Sequence, residues 1–227
     1  MSRDLEPLLS EARLAFFGKI TASLSHELNN VLSYINELSG LTGDLLAAGA
    51  QGRPVNTEKL QRLAERIGGQ VHRGEVLIKR LNRFSHSADV PRKTFDLGKL
   101  LEDIMGLAQR PATMKGFELT ASFPDESINI HSDPFGLQHL VFTCFEAIWE
   151  SPAVRKTVSV SCRREEKGAS VLVGAAEPLA RNDGVISRLR FAARLAGDLG
   201  GRMTEPAEQS PDPITIWLPS STEDGER

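Results

Sequence analysis

Apolar residues recur at Phe17, Ile20, Leu24, Leu28, Val31, Ile35, Leu38, Leu41 and Leu45, in steps of three and four that lay one stripe along a long helix. Gly49, Gly52 and Pro54 break it. A second helix is expected from Asn56 or Thr57 as N-cap, with the stripe Leu60, Leu63, Ile67, Val71, Gly74, Ile78, Leu81 and Phe84. Two long helices joined by a short loop predict an antiparallel hairpin. A helix of about 40 residues is about 60 Å long, and its partner covers only part of the stripe. Roughly eight apolar side chains per helix, at about 1.5–3 kcal/mol each, are worth burying only if a second surface closes the seam. An identical chain offers an identical seam, so a homodimeric four-helix bundle is the simplest closure. Packing of the stripe on the chain's own second half is the alternative.

The pattern changes after Ser87–Lys93, a short polar stretch with Pro91 that reads as a linker. Residues 1–88 therefore form one expected domain and residues 94–220 a second. Asp96 is a plausible N-cap for a helix carrying Leu97, Leu100, Leu101, Ile104 and Leu107. Strand-like runs follow at Phe117–Phe123 and Ile128–His131, then a helix from about Pro134 to Ser151. Val158–Cys162 and Ser170–Val173 alternate as strands around a turn at Glu166–Gly168. A helix from about Val185 to Leu199 stops at Gly200 and Gly201, Ile214–Leu218 is a last strand, and Ser220–Arg227 is expected to fray. The whole is an α+β chain: a helical hairpin, then an α/β sandwich with helices on one face of a sheet.

Composition narrows the function. Among 227 residues, 27 Lys and Arg stand against 30 Asp and Glu, a net charge of −3 with no basic excess for nucleic acid. The apolar stretch Leu137–Ile148 is well short of the ~20 residues of a membrane span. Asp4 follows Arg3 with no apolar run behind it, so no secretory signal is expected and the location is taken as cytoplasmic. Two cysteines, Cys144 and Cys162, are too few for a disulfide framework or a cysteine-rich zinc site and read as buried or incidental thiols.

One histidine carries the chemistry. At about 100° per residue, His26 points roughly 180° from the midpoint of Leu24 and Leu28, away from the stripe. Its neighbours on that face are Ala22, Ser23, Asn29, Asn30 and Ser33, all short, which leaves the ring open to a protein-sized partner. A surface histidine alone signifies little; a ring of short side chains where Lys and Glu usually stand is less common. His72, His86, His131 and His139 are scattered without metal-ligand spacing, and there is no G-x-S-x-G. What remains is imidazole as a nucleophile, a ring that in general keeps a free lone pair at neutral pH. Glu27 is placed to orient the ring and hold the proton on its other nitrogen.

The run Ser25-His26-Glu27-Leu28-Asn29-Asn30-Val31-Leu32 resembles the H-box of the sensor histidine kinases of two-component signalling. The resemblance implies that His26 is a phosphoacceptor within a dimeric helical hairpin, that Glu27 assists proton transfer, and that response-regulator receiver domains are the partners. Asn30 matches the position that orients a hydrolytic water in members with phosphatase activity. Many members have Pro where this chain has Val31, which removes an expected kink but no chemistry.

The likeness extends more weakly to the second half. Asp133-Pro134 and Leu137–Ile148 resemble the N-box helix, and Leu189–Met203 resembles the late helix and strand of the ATP-binding domain. The nucleotide residues do not carry over. Glu146 stands where the family has the Mg²⁺-holding asparagine, or Ala147 after a one-residue slip. Val173-Gly174-Ala175-Ala176-Glu177-Pro178 replaces the adenine-reading D-x-G-x-G, and a lone Gly184 replaces the triphosphate-cradling glycines. The lid between those motifs is short. A carboxylate can hold Mg²⁺, so Glu146 alone is ambiguous; the joint loss is not. The expectation is therefore a histidine phosphotransferase with a degenerate ATP-binding domain, no bound cofactor, and Mg²⁺ supplied by the receiver. The alternatives are an active cytoplasmic kinase with a divergent ATP site, or a non-catalytic module that binds or dephosphorylates a response regulator.

Overall fold

The computed structural model describes residues 5–152 and 156–220. The tail beyond Ser220 lies outside the described residues. Two compact units emerge: residues 18–83, and residues up to 17 together with 84 onward. Thus the ends of both long helices belong with the α/β unit.

The first unit is the hairpin, made from most of α1 (Leu5–Ala50) and α2 (Thr57–Ser87). Asn56 caps α2, its Oδ1 accepting from the Lys59 N–H at 2.9 Å. Ile20, Leu24, Val31 and Leu38 are buried on α1, and Leu63, Gly74 and Leu77 on α2. Three of these on α1 are seven residues apart, as are Leu63, the half-buried Gln70, and Leu77, which is the repeat that keeps one seam facing a partner helix. A Cβ on Gly74 would lie 3.4 Å from Val31 Cγ1, so Val31 packs close against the backbone of α2 at this glycine.

The expected stripes need correction at this level. On α2, Val71 and Ile78 are 46% and 49% exposed, and Leu77 takes the buried place that had been given to Ile78. On α1, Leu41 is 45% exposed, while Leu28, Ile35 and Leu45 are half-buried. One residue along a helix rotates the side chain by about 100°, and a 3.6-residue pattern drifts by about 20° per heptad from the 3.5-residue seam. Leu32 and Leu46 are likewise 62% and 54% exposed, so the hairpin retains an uncovered apolar face.

In the second unit, β1 (Lys93–Asp96) pairs antiparallel with β3 (Asn129–Ser132). The main sheet runs β2-β4-β5-β7-β6, from β2 (Glu118–Ser122), β4 (Thr157–Glu165), β5 (Gly168–Ala175), β7 (Ile214–Pro219) and β6 (Arg202–Thr204). Among the described residues, β2 and β4 pair in parallel and the remaining pairs are antiparallel. Val158, Val160 and Cys162 are buried while Ser159 and Arg163 are exposed, the alternation of a sheet covered on one side. That side is covered by α3 (Leu97–Met114), α4 (Pro134–Glu150) and α5 (Asp183–Asp198). Asp96 caps α3, its Oδ1 accepting from the Lys99 N–H at 3.1 Å. Asp133 caps α4 in the same way through Gly136. Leu199 ends α5, and Gly200 follows at φ +75°, a conformation that glycine adopts without strain.

The ends of the long helices dock on α4 through aromatic rings. Phe16 stacks on His139 at 4.6 Å and meets Phe84, Phe135 and Phe142 at 5.4–5.6 Å. Arg13 Nη1 donates to Asp133 Oδ2 at 2.7 Å beside this cluster. The sequence pattern had put the half-buried Phe17 in the stripe; Phe16 is the buried one, at 4% exposure. Both cysteines are buried and free, and burial pushes the Cys144 thiol up to about 12 and Cys162 to about 11, which leaves them unreactive.

Candidate functional site

His26 lies in the middle of α1, exposed, with Ala22, Asn29, Asn30 and Ser33 exposed around it and Ser23 half-buried. These positions are three, four and seven residues away along one continuous helix, so one face holds them all. The helix has no break at Val31, which is buried in the seam on the opposite side.

Glu27 takes a direction of its own. Its side chain is 12% exposed and faces Arg73 of α2, with Arg73 Nη2 to Glu27 Oε2 at 3.6 Å, an ion-pair contact longer than a good hydrogen bond. One heptad further along, the Arg66 guanidinium donates to the Tyr34 hydroxyl and lies 5.3 Å from the ring. Glu27 and Tyr34 are seven residues apart on α1, and Arg66 and Arg73 seven apart on α2, running the opposite way. The two ties therefore fix the register of the hairpin along the flank of the His26 face. Sequence reasoning did not single out Arg66 or Arg73; their heptad spacing opposite Glu27 and Tyr34 was the signal.

A second cluster lies between α4 and α5. Arg188 Nη1 donates to Glu146 Oε2 at 2.7 Å, and Arg188 Nη2 reaches Glu150 Oε1 at 2.6 Å. All three side chains are at most about a third exposed, and the hydrogen bond to Glu150 foremost raises the Arg188 pKa above its ordinary value. The segment from β5 into α5 is tied to the same end of α4. Ala180 N–H donates to Ser151 Oγ at 3.0 Å, Asn182 Nδ2 to the Glu150 carbonyl at 3.1 Å, and Asn182 Oδ1 caps α5 through Val185 N–H at 2.9 Å. A Cβ on Gly184 would lie 2.5 Å from Glu150 Oε2. The glycine thus makes room for a carboxylate in the first turn of α5. The sequence pointed to Glu146 and Gly184 and missed their connection through Glu150 and Arg188.

Among the described residues, no group of three or more His, Cys, Asp or Glu is placed to hold a metal ion, and no helix is long and apolar enough to cross a membrane.

No family model matches the chain. It is 25% identical over 146 residues to the sensor protein FixL of Bradyrhizobium diazoefficiens, a match covering 64% of this chain. That match spans only 28% of the length of FixL. Similar solved structures include the catalytic domain of the histidine kinase ThkA, at 13% identity and TM-score 0.49, covering 59% of this chain and all of that one. The Acinetobacter baumannii histidine kinase AdeS matches at 12% identity and TM-score 0.48, covering 82% of this chain and 96% of that one. The chain thus carries the run Ser25-His26-Glu27-Leu28-Asn29-Asn30 on a helical hairpin, continues into an α/β sandwich, and is similar in sequence to a sensor protein, of which it matches about a quarter of the length.

Proposed function

We propose that the chain is a phosphorelay protein in which His26 accepts a phosphoryl group from one receiver aspartate and donates it to another. The observation that carries this reading is the exposed imidazole ringed by Ala22, Ser23, Asn29, Asn30 and Ser33 on a rigid helix. Short neighbours leave room for the rim of a receiver active site, and a helix holds the ring at a fixed place. A ring nitrogen of His26 attacks phosphorus, the phosphorus–oxygen bond to the acyl group breaks, and the receiver carboxylate leaves. The return transfer reverses these steps. Glu27 takes up the ring proton, exchanging its loose contact with Arg73 for the ring, and Asn30 orients water when the phosphoryl group is hydrolysed instead. Mg²⁺ is supplied by the receiver.

The uncovered face bearing Leu32, Leu46, Val71 and Ile78 supports a homodimer closed as a four-helix bundle. The side chains between α4 and α5 do not suit ATP: where the resemblance calls for a Mg²⁺-holding asparagine stands Glu146, already engaged with Arg188.

The test is incubation of the chain with each phosphorylated receiver of its own cell. Acid-labile label should move to His26 from at least one receiver and be absent in His26→Gln. Asn30→Ala should spare this transfer while slowing any dephosphorylation. Failure of every receiver to label His26 contradicts the proposal. A kinase reading draws support from the likeness to FixL; label on His26 from ATP alone would establish it instead.

A further inference from the structure

The place between α4 and α5 contains opposite charges held against each other. The carboxylate of Glu150 is packed on Gly184 in the first turn of α5, where unpaired backbone N–H groups and the helix dipole favour an anion. The guanidinium of Arg188 bridges Glu150 and Glu146, filling the position of a cation between two oxygen ligands at 2.6 and 2.7 Å. Arg188 Nε is buried without an acceptor among the described residues, while the side chain as a whole is about a third exposed. Ser151 and Asn182 clamp the connecting segment, residues 176–182, over the end of α4.

We propose that this triad is a built-in replacement for a metal–nucleotide: Glu150 takes the place of an anionic phosphate at the start of α5, and Arg188 takes the place of the divalent cation on α4. The inference rests on the reading above that the chain works without ATP, and it gives that reading a physical cause. An anion arriving at α5 meets a carboxylate already there, and a cation arriving at Glu146 meets a guanidinium. The protein's own charges thus hold α4 and α5 together in one closed form without ligand. Removing the guanidinium alone leaves two carboxylates facing each other in a half-buried place, which is the situation a divalent cation relieves.

The experiment uses the full chain and reads its melting temperature alone, with Mg²⁺ and ATP, and with MnCl₂. Wild type should shift by less than about 1 °C with either addition. Arg188→Met should melt about 5 °C lower than wild type. Mn²⁺ should restore about 2 °C or more to Arg188→Met and nothing to wild type. The neutral triple variant Glu146→Gln/Glu150→Gln/Arg188→Met should recover most of the loss and not respond to Mn²⁺, which separates charge from packing. The inference is overturned if Mg²⁺ and ATP raise the wild-type melting temperature by more than about 2 °C, or if Arg188→Met melts within about 1 °C of wild type. It is overturned equally if Mn²⁺ leaves Arg188→Met unmoved, or if the triple variant is no better than the single one. Transfer of label to His26 is read on the same preparations. A wild-type chain that takes no label yet shows this melting pattern sinks the phosphorelay reading and leaves the triad standing.

Discussion

In the hairpin, the polar residues around His26 are short and turned outward, so they neither neutralise one another nor close over the ring. In the α/β unit, Glu146 and Glu150 of α4 and Arg188 of α5 pair with one another at 2.6–2.7 Å, and the place they fill is occupied by their own side chains. One surface has unused chemistry and the other has its charges already spent on each other. On the function proposed above, that difference is what distinguishes carrying a group between partners from drawing it from a nucleotide.

The largest effect that sharpens the comparison lies in the hairpin seam. Leu77→Ala should lower stability by about 2–5 kcal/mol in denaturant melts, since its side chain is buried on α2. Ile78→Asp, one residue along, should leave the fold within about 0.5 kcal/mol and shift the chain from dimer to monomer in light scattering. An Ile78→Asp chain that stays dimeric would remove this face as the dimer seam.

In the α/β unit, Gly184→Ala forces Glu150 to turn away from α5 and release Arg188. The expected loss is about 1–2 kcal/mol, partly offset by the better helix propensity of alanine. In a Glu150→Ala background the same substitution should become neutral or stabilising. Equal effects in both backgrounds would mean that Glu150 is not held in place.

The smallest effect is at Asp96. The Ser127 hydroxyl foremost holds this carboxyl below its ordinary value, against the opposing effect of burial, with the Lys99 N–H adding a smaller pull in the same direction as Ser127. A lowered folded-state pKa gives stability that is complete above the unfolded carboxylate value, about 3.9, and that disappears as pH falls through the lower folded value. Wild type should therefore lose about 1–2 °C more than Ser127→Ala between pH 6 and pH 3. Equal losses would contradict this assignment.

Much of this architecture could be read from residue order. The hairpin was legible because its seam repeats over several turns, and the sheet because Val158, Val160 and Cys162 alternate with exposed positions. The phase of α2 was not: Val71 and Ile78 are apolar and Gln70 is polar, so composition favoured the exposed line over the buried one through Gln70 and Leu77. Strand β1 was missed because Lys93–Asp96 is short and mostly polar, and is defined by pairing with β3, more than thirty residues later. The face of His26 was legible because every member lies within seven residues on one helix. Arg73 beside Glu27, and Arg188 against Glu146 and Glu150, were not, because pairs between helices leave no local pattern.

The most direct test of the central claim is the source of the phosphoryl group on His26. Purified chain is offered radiolabelled ATP alone, and separately a labelled receiver aspartyl phosphate, and the acid-labile label on His26 is counted in each. The account predicts label from the receiver, none above background from ATP, and none from either in His26→Gln. Label arriving from ATP without any partner would contradict it.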